Sequence, residues 1–254
     1  MTTKRILITG AGSGLGRGLA GHLAASGHKL LLLDRDRDGL DGTIAAIADP
    51  SSCLAAEAVD VTSDTQVSAF VAKLRGGVDV LVNNAGLQHV AKVDEFPIER
   101  WDTLMDVMLR GPFLLTRALL PAMRANGYGR IINIGSIHAL IASPYKSAYV
   151  AAKHGMIGFS KAVALETGDV DITINTICPA YIRTPLVDAQ IEAQAVANGI
   201  STDEVIANIM LAPMPKGRFI GIDEIAGTVE FLMSDAAKNI TAQAIALDGG
   251  WTAR

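Results

Sequence analysis

Three side chains in the second half of the chain could together move a proton to or from a carbonyl oxygen. They are the Ser136 hydroxyl, the Tyr149 phenol and the Lys153 amine. Tyr149 and Lys153 are four residues apart, so on a helix they lie on one face, about one turn from each other. The ammonium would bring the Tyr149 pKa down from its usual value of about 10, while Ser136 holds the reacting oxygen by a hydrogen bond. The pattern indicates an enzyme that acts on an alcohol or a ketone.

The elements around these residues decide how the pattern is interpreted. A tyrosine followed four residues later by a lysine also occurs by chance on solvent-exposed helices. Here, however, Arg130–Ile134 has the composition of a buried strand, which would deliver Ser136 at its carboxyl end. Open parallel sheets bind ligands at that end of their strands. The context therefore favours an active site over a chance pairing.

Length and charge limit the classes of protein that the chain could belong to. It has 254 residues, of which 50% are hydrophobic and 19% charged, enough to bury one α/β core, and we expect a single domain over residues 1–254. The net charge is −4, and the 22 Lys and Arg residues are scattered rather than clustered. Nucleic acid is therefore not an expected partner.

Cysteine usage and the amino-terminal sequence indicate a cytoplasmic protein. Cys53 and Cys178 offer neither a metal-ligand spacing nor a disulfide framework, so no metal is expected and a reducing compartment is favoured. Residues 1–10 lack the long apolar core of a signal peptide. No apolar run is long enough to span a membrane, and no membrane partner is expected.

Short apolar runs alternate with longer helical patterns along the chain. Such alternation is typical of an α/β fold with a doubly wound, mostly parallel sheet and helices on both faces. Residues 184–218 break the alternation with two helical patterns, Val187–Ala197 and Thr202–Leu211, and we expect this segment to form a small lid over the sheet's edge. The seven expected strands are Arg5–Thr9, Lys29–Leu33, Cys53–Val59, Val78–Val82, Arg130–Ile134, Ile172–Ile177 and Ala244–Leu247.

A glycine-rich turn directly follows the first strand and leads into a helix. Glycines at this place let the backbone approach a pyrophosphate at the helix N-terminus. A literal G-x-G-x-x-G match falls on Gly16, Gly18 and Gly21, but these lie inside the expected helix, so that match is spurious. A strand-to-helix turn without a ligand is the alternative. The residues expected to contact a dinucleotide here are Gly10, Ser13, Gly14, Leu15 and Gly16.

Polar residues at the ends of three further strands support a dinucleotide site. Asp34 ends the second strand about twenty residues beyond the glycine turn, where a carboxylate pairs with a ribose 2′-hydroxyl. The same carboxylate would repel the 2′-phosphate of NADP, so NAD is the expected cofactor, although Arg35 leaves room for NADP. A helix N-cap is the other possible role of Asp34. Asp60 and the run Asn83–Gly86 bring polar groups to the same edge.

Several motifs occur in a fixed order along the chain: the glycine turn, Asn83–Gly86, Ser136, and Tyr149 with Lys153. With these motifs, the chain resembles the short-chain dehydrogenase/reductase family over nearly its whole length. The resemblance implies a single Rossmann-like domain with a seven-stranded sheet, assembled as a homotetramer. It also implies hydride transfer between NAD(P) and an alcohol or ketone, with Tyr149 as the base and Lys153 positioning the cofactor ribose. The further cofactor contacts that it implies are Val61, Asn83, Ala85, Gly86, Tyr149, Lys153, Pro179, Ile182 and Thr184.

A closer resemblance is to bacterial members of this family that act on small hydroxy acids such as D-3-hydroxybutyrate. It implies that Gln88, His138, Lys146 and Gln190 hold the substrate carboxylate, and a cation, an imidazole and two amides suit a small anionic acid. Each has an ordinary alternative as a solvated or structural residue. Reduction of another small carbonyl compound, or dinucleotide sensing without catalysis, are the competing functions. The resemblance is carried by Asn83–His89, Ser136–His138, Lys146–Tyr149, Cys178–Val187 and Asp248–Arg254.

One position departs from the family pattern. Met108 stands where the family has an asparagine whose backbone carbonyl holds a water of the proton relay, and Gly111 and Phe113 fix the register. A thioether cannot replace the amide, and Asp106 and Arg110 are expected to point elsewhere on the helix. Pro112 lacks the N–H that would bond the Met108 carbonyl. We therefore hypothesise that this carbonyl stays free to bind the relay water; the alternative is that Pro112 only kinks a packing helix.

Overall fold

The apolar runs form the strands of one seven-stranded parallel sheet. The computed structural model describes residues 2–253, apart from the side chain of Leu186, so the expected domain's two end residues lie outside the described residues. Along the sheet the strand order is β3-β2-β1-β4-β5-β6-β7, and every pairing is parallel. The strands are β1 Arg5–Thr9, β2 Lys29–Asp34, β3 Cys53–Ala58, β4 Val80–Asn83, β5 Tyr128–Ile134, β6 Asp171–Pro179 and β7 Ala244–Leu247. The expected doubly wound fold is confirmed.

Strand boundaries differ most from the expected ones at β4, β5 and β6: β5 begins two residues earlier, β6 extends one residue earlier and two later, and β4 moves at both ends. Strand β4 begins at Val80 rather than Val78, because Gly76 and Gly77 have φ angles of 86° and 72° and keep the chain in a turn. The strand then continues one residue further, through Asn83. The shift is small, but it places Asn83 inside the sheet.

Helices connect the strands and cover both faces of the sheet. In β1, Ile6 and Ile8 pack in one apolar cluster on one face of the sheet, whereas Leu7 packs in a second cluster on the other face. Successive residues of a strand point to opposite faces, so an almost continuous apolar run is what a strand buried on both sides requires. The helices are α1 Gly14–Ala25, α2 Arg37–Ala46, α3 Asp64–Lys73, α4 Ile98–Met105, α5 Gly111–Asn126, α6 Ser147–Glu166, α7 Pro185–Asn198, α8 Thr202–Val205 and α9 Ile222–Met233.

Two π-helical turns interrupt the helical stretches, at Asp106–Arg110 between α4 and α5 and at Ile206–Met210 after α8. In the first, the Gly111 N–H bonds the carbonyl of Asp106, five residues earlier, instead of the one four residues earlier. Such turns insert one residue into the helical register. The residues before and after the turn therefore face different directions from those of a regular helix.

The strand order reverses between β1 and β4, which lie side by side in the middle of the sheet. Helices that follow these strands cross to opposite faces, which leaves a crevice beyond their carboxyl ends, where such sheets bind ligands. The 184–218 segment lies after β6, and its side chains Val187, Ile191, Val205 and Met210 form a small apolar cluster of their own. Over residues 2–253, no helix combines the length and the apolar character needed to cross a membrane.

Candidate active site

A cavity of about 800 Å³ opens at the carboxyl ends of the strands. The glycine turn and the end of β2 line one end, and the residues around Tyr149 line the other. Nearly all of the site residues predicted from the sequence line this one cavity. The expected residues in its wall are Gly10, Ser13, Gly14, Leu15, Asp34, Asp60, Val61, Ala85, Gly86, Gln88, Ser136, His138, Lys146, Tyr149, Lys153, Pro179, Ile182, Thr184 and Gln190.

Two expected cofactor residues, Gly16 and Asn83, do not line the cavity and have structural roles instead. A Cβ on Gly16 would overlap the Gly10 carbonyl oxygen, so only glycine lets α1 pack against the turn. Asn83 is 3% exposed, and its Nδ2 donates to Asn133 Oδ1 at 2.8 Å. Asn84 lines the cavity instead, and its Nδ2 donates to the Thr9 carbonyl at 2.9 Å.

The glycine turn and Asp34 form a cradle that suits a dinucleotide. Gly10 has a φ of 64° and Gly14 a φ of 49°, values that favour glycine. The Asp34 carboxylate accepts the Gly12 N–H at 2.8 Å and the Asp36 N–H at 3.0 Å, so it is held at the cavity's edge. The N-cap of α2 is Asp36, which excludes that role for Asp34. A fixed carboxylate beside an open glycine turn fits a ribose hydroxyl and a pyrophosphate.

Ser136, Tyr149 and Lys153 meet at the opposite end, as expected. Ser136 follows β5 and caps a short 3₁₀ helix by accepting the His138 N–H at 3.1 Å. Its hydroxyl also interacts with the Tyr149 phenol and favours a lower pKa of that phenol. Lys153 is one helical turn further along α6, with Nζ 5.6 Å from the centre of the Tyr149 ring, and it donates to the Ile134 carbonyl at 2.7 Å. A hydroxyl, a phenol and an ammonium are thus adjacent.

The pKa of Tyr149 is raised, not lowered as expected. Burial is the largest cause of this rise, and the interaction with Ser136 only partly opposes it. Burial also lowers the pKa of Lys153 to about 8, since the ammonium is almost fully removed from water. Desolvation is thus the largest cause of the shift in both groups. The protonated phenol is the form that can donate a proton to a carbonyl oxygen.

Lys146 and His138 bring unusual polar groups to the cavity between these two ends. Burial lowers the pKa of Lys146, and among the described residues no carboxylate or hydrogen-bond acceptor pairs with its ammonium. The His138 ring bonds the Ser143 hydroxyl through Nε2 at 2.6 Å. Burial and the Lys146 charge lower the pKa of His138 to about 4, so it is neutral at pH 7. The Lys146 ammonium lies 5.9 Å from the centre of the Tyr181 ring, so a cation with an aromatic neighbour but no anionic partner among the described residues faces the cavity here.

Two amides complete this polar group. The Oε1 atom of Gln88 is buried and has no hydrogen-bond partner in the described part of the chain. A buried amide oxygen without a partner is unusual in a folded protein and requires a donor from a group that binds there, while the Nε2 group of the same amide can donate to a carboxylate. Gln190 lies on α7, within the 184–218 segment, and is half-buried in the same wall. Its position therefore depends on that segment.

Two aromatic residues of this region are not among the site residues predicted from the sequence. The Tyr181 ring lines the cavity, and the Trp251 ring lies 5.8 Å from it and 6.2 Å from the His138 ring. Trp251 is placed by Asp248, whose carboxylate accepts the N–H groups of Gly250 and Thr252. The signal was present in the sequence as an acid and two glycines directly after the last strand.

The π-helical turn changes the expected picture around Met108. Asp106 lines the cavity, contrary to expectation, because the turn inserts a residue between it and α5. The Met108 side chain is fully buried in an apolar cluster that contacts Tyr149. Its carbonyl receives no hydrogen bond from Pro112, which has no N–H. The hypothesis that this carbonyl binds a relay water stays a prediction.

Comparison with known proteins finds related enzymes by sequence and by structure. The family model described as "short chain dehydrogenase" matches residues 4–195 of the chain. The chain is 42% identical to a D-beta-hydroxybutyrate dehydrogenase of Rhizobium meliloti, over 99% of this chain and 100% of that protein. It is 40% identical to an enzyme of the same name from Cupriavidus necator, over 99% and 98% of the two chains. A crystal structure of an actinorhodin polyketide ketoreductase with NADPH has a TM-score of 0.92 at 33% identity, over 98% and 97% of the two chains.

Proposed function

Because the chain belongs to the short-chain dehydrogenase/reductase family, we propose that it interconverts D-3-hydroxybutyrate and acetoacetate with NAD as the hydride acceptor. One observation carries the choice of an acid. The Lys146 side chain is half-buried in the cavity wall, and its ammonium has no anionic partner among the described residues. An ammonium in this position is stabilised by a carboxylate that arrives with the substrate.

The reaction centre is Tyr149 with Ser136. During oxidation, Tyr149 takes the hydroxyl proton in its phenolate form, which is scarce near neutral pH because burial raises the Tyr149 pKa, and Ser136 holds the same oxygen by a hydrogen bond. A bound nicotinamide would supply the hydride chemistry that the protein's own residues lack. Lys153 places its ammonium next to the phenol and would hold the cofactor ribose. In the reverse direction Tyr149 returns its proton to the carbonyl oxygen.

The other end of the substrate is held by Lys146, Gln88, His138 and Gln190. Lys146 provides the charge and the two amides provide donors, while a neutral His138 donates one hydrogen bond without adding a second charge. The 184–218 segment acts as the lid, and it brings Gln190 against the substrate and excludes water. Met108 belongs to the proposed relay through its backbone carbonyl alone.

Asp34 supports NAD rather than NADP. Its carboxylate is fixed at the cavity's edge by the Gly12 and Asp36 N–H groups, so it cannot easily move away from a 2′-phosphate. The negatively charged carboxylate and a negatively charged 2′-phosphate would repel each other here. Arg35 also lines the cavity and is the residue through which some use of NADP would remain. The homotetramer that the resemblance implies and the cytoplasmic location expected from the sequence belong to the same proposal.

A direct assay tests this function. Purified protein is mixed with NAD and each enantiomer of 3-hydroxybutyrate, and with the neutral amide of the D enantiomer, while NADH formation is followed. We expect turnover of the D acid, little turnover of the L acid, and a much lower kcat/KM for the amide. Equal rates for the two enantiomers, or for acid and amide, would contradict the proposed substrate, and binding of NAD without any turnover would favour a sensor.

A further inference from the structure

Tyr145 adopts a backbone conformation that its side chain does not favour. Its φ is 67°, and among the described residues only Tyr145 and Ala242 are non-glycine residues with a positive φ. In this left-handed region the Cβ atom lies close to the following carbonyl, which is unfavourable for most L-residues. Pro144 and Tyr145 form a turn. Proline followed by a positive φ is the arrangement of a type II turn, in which the Tyr145 position favours glycine or asparagine.

This turn connects three of the residues that are proposed to hold the acid. Ser143, at its start, bonds the His138 ring at 2.6 Å. Lys146 directly follows Tyr145 and lines the cavity. The Tyr145 carbonyl accepts the Ala91 N–H at 3.0 Å, and Ala91 lies three residues after Gln88. The backbone at Tyr145 thus ties the loop that carries Gln88 to the turn that carries Lys146.

The Tyr145 side chain itself is not part of the cavity wall. The ring is 53% exposed, and the cavity is lined by its neighbour Lys146 instead. Its contribution to the site must therefore come from the backbone conformation and from the carbonyl group. A strained conformation of this kind persists only where the surrounding contacts impose it, and it is often found at functional sites.

We propose that Tyr145 is a positioning residue for substrate binding. Its left-handed backbone reverses the chain between Ser143 and Lys146, directs the ammonium into the cavity, and fixes the Gln88 loop through Ala91. The inference rests on the proposed function, since it concerns the carboxylate end of the substrate. It predicts that affinity for the acid depends on which backbone conformations residue 145 tolerates, and little on the phenol ring.

A substitution series at this position separates backbone from side chain. Tyr145→Val introduces a β-branched residue that resists a positive φ, whereas Tyr145→Gly and Tyr145→Asn accept it. We expect the valine variant to raise KM for D-3-hydroxybutyrate about tenfold, with a much smaller change for the amide. The glycine and asparagine variants should keep KM for the acid within about twofold of the parent value.

Ala242→Val is the matched control, because Ala242 has a φ of 61° and lies outside the cavity wall. The same backbone conflict there should lower the melting temperature and leave the ratio of KM for acid to KM for amide unchanged. If Tyr145→Val and Tyr145→Gly show the same ratio, the inference is overturned. The same holds if Ala242→Val changes the ratio as much as Tyr145→Val does, because a general loss of stability then explains both.

Amide hydrogen exchange of Ala91 gives a readout that needs no substrate. Exchange at this N–H should be faster in Tyr145→Val and unchanged in Tyr145→Gly, because only the valine displaces the carbonyl that accepts its hydrogen bond. Unchanged exchange in the valine variant would overturn the inference whatever the substrate is. A parent enzyme that does not distinguish acid from amide would instead refute the proposed function.

Discussion

Replacing Lys146 with methionine should make the protein more stable and less active on the acid at the same time. The Lys146 ammonium is partly buried, its pKa is lowered by burial, and no described residue provides an opposite charge. Methionine keeps most of the side chain's length and removes the charge. Relief of an unpaired, partly buried ammonium is worth about 1 kcal/mol, and for a chain of this length 1 kcal/mol raises Tm by about 2–4 °C.

The expected effect on catalysis has the opposite sign. A hydrogen bond between charged groups contributes about 1.5–3 kcal/mol, which corresponds to a loss of about 10- to 150-fold in kcat/KM for the acid. The amide carries no charge for Lys146 to pair with, so its kcat/KM should change by no more than a few-fold. The variant should therefore lose its preference for the acid rather than its activity as a whole.

Two measurements test this prediction together. Thermal unfolding at pH 7 reports stability, and initial rates with acid and amide report selectivity. Lys161→Met is the matched control, since Lys161 lies on α6 but is exposed, and it should change neither quantity. A lower Tm for Lys146→Met would show that the contact of the ammonium with the Tyr181 ring stabilises the fold by more than its burial costs. An equal loss on acid and amide would show that Lys146 supports the site without binding the carboxylate.

Three further changes test other parts of the site. Asp34→Ser should raise kcat/KM with NADP relative to NAD by about tenfold or more, because it removes the charge that repels a 2′-phosphate; an unchanged ratio would show that another group selects the cofactor. Pro112→Ala restores an N–H near the Met108 carbonyl and should lower kcat several-fold and alter the solvent isotope effect, whereas no change in either would refute the relay hypothesis. The pKa of His138 is about 4 in the folded protein, below its usual value of about 6.5. Between these two pH values the unfolded chain binds one proton that the folded protein does not, so the free energy of unfolding falls as the pH drops from 6.5 to 4. His138→Asn should remove most of that fall, at most about 3 kcal/mol, in urea unfolding at pH 7.5 and 4.5; an identical fall would place its origin elsewhere.

The parts of the fold that follow from local pattern could be predicted from the sequence. β1 and β2 are apolar runs bounded by polar or glycine residues, and a parallel sheet requires both of their faces to be apolar. Asp34 could be placed at the cavity because a strand's end is also the end of its apolar run. The same reasoning brought Ser136 to the cavity from the end of β5.

The features that were missed or wrong depend on long-range packing. Whether Tyr149 or Lys153 has a shifted pKa is decided by how deeply the whole fold buries them, and no local spacing reports that. Asp106 faces the cavity only because the backbone at 106–110 forms a π-helical turn. Trp251 reaches the site from the end of the chain, more than one hundred residues after its ring neighbour His138.

The fold holds the two ends of the substrate site in different ways. Ser136 follows directly on a central strand, and Lys153 lies in the middle of a twenty-residue helix and is anchored to the Ile134 carbonyl of the same strand. Gln88 and Lys146, in contrast, lie on a loop and a turn that are joined by one backbone hydrogen bond. Rigid elements hold reacting groups more accurately, and loops tolerate change more easily. Substitutions in the loops should therefore alter which molecule binds, and with what KM, while proton transfer at Tyr149 continues.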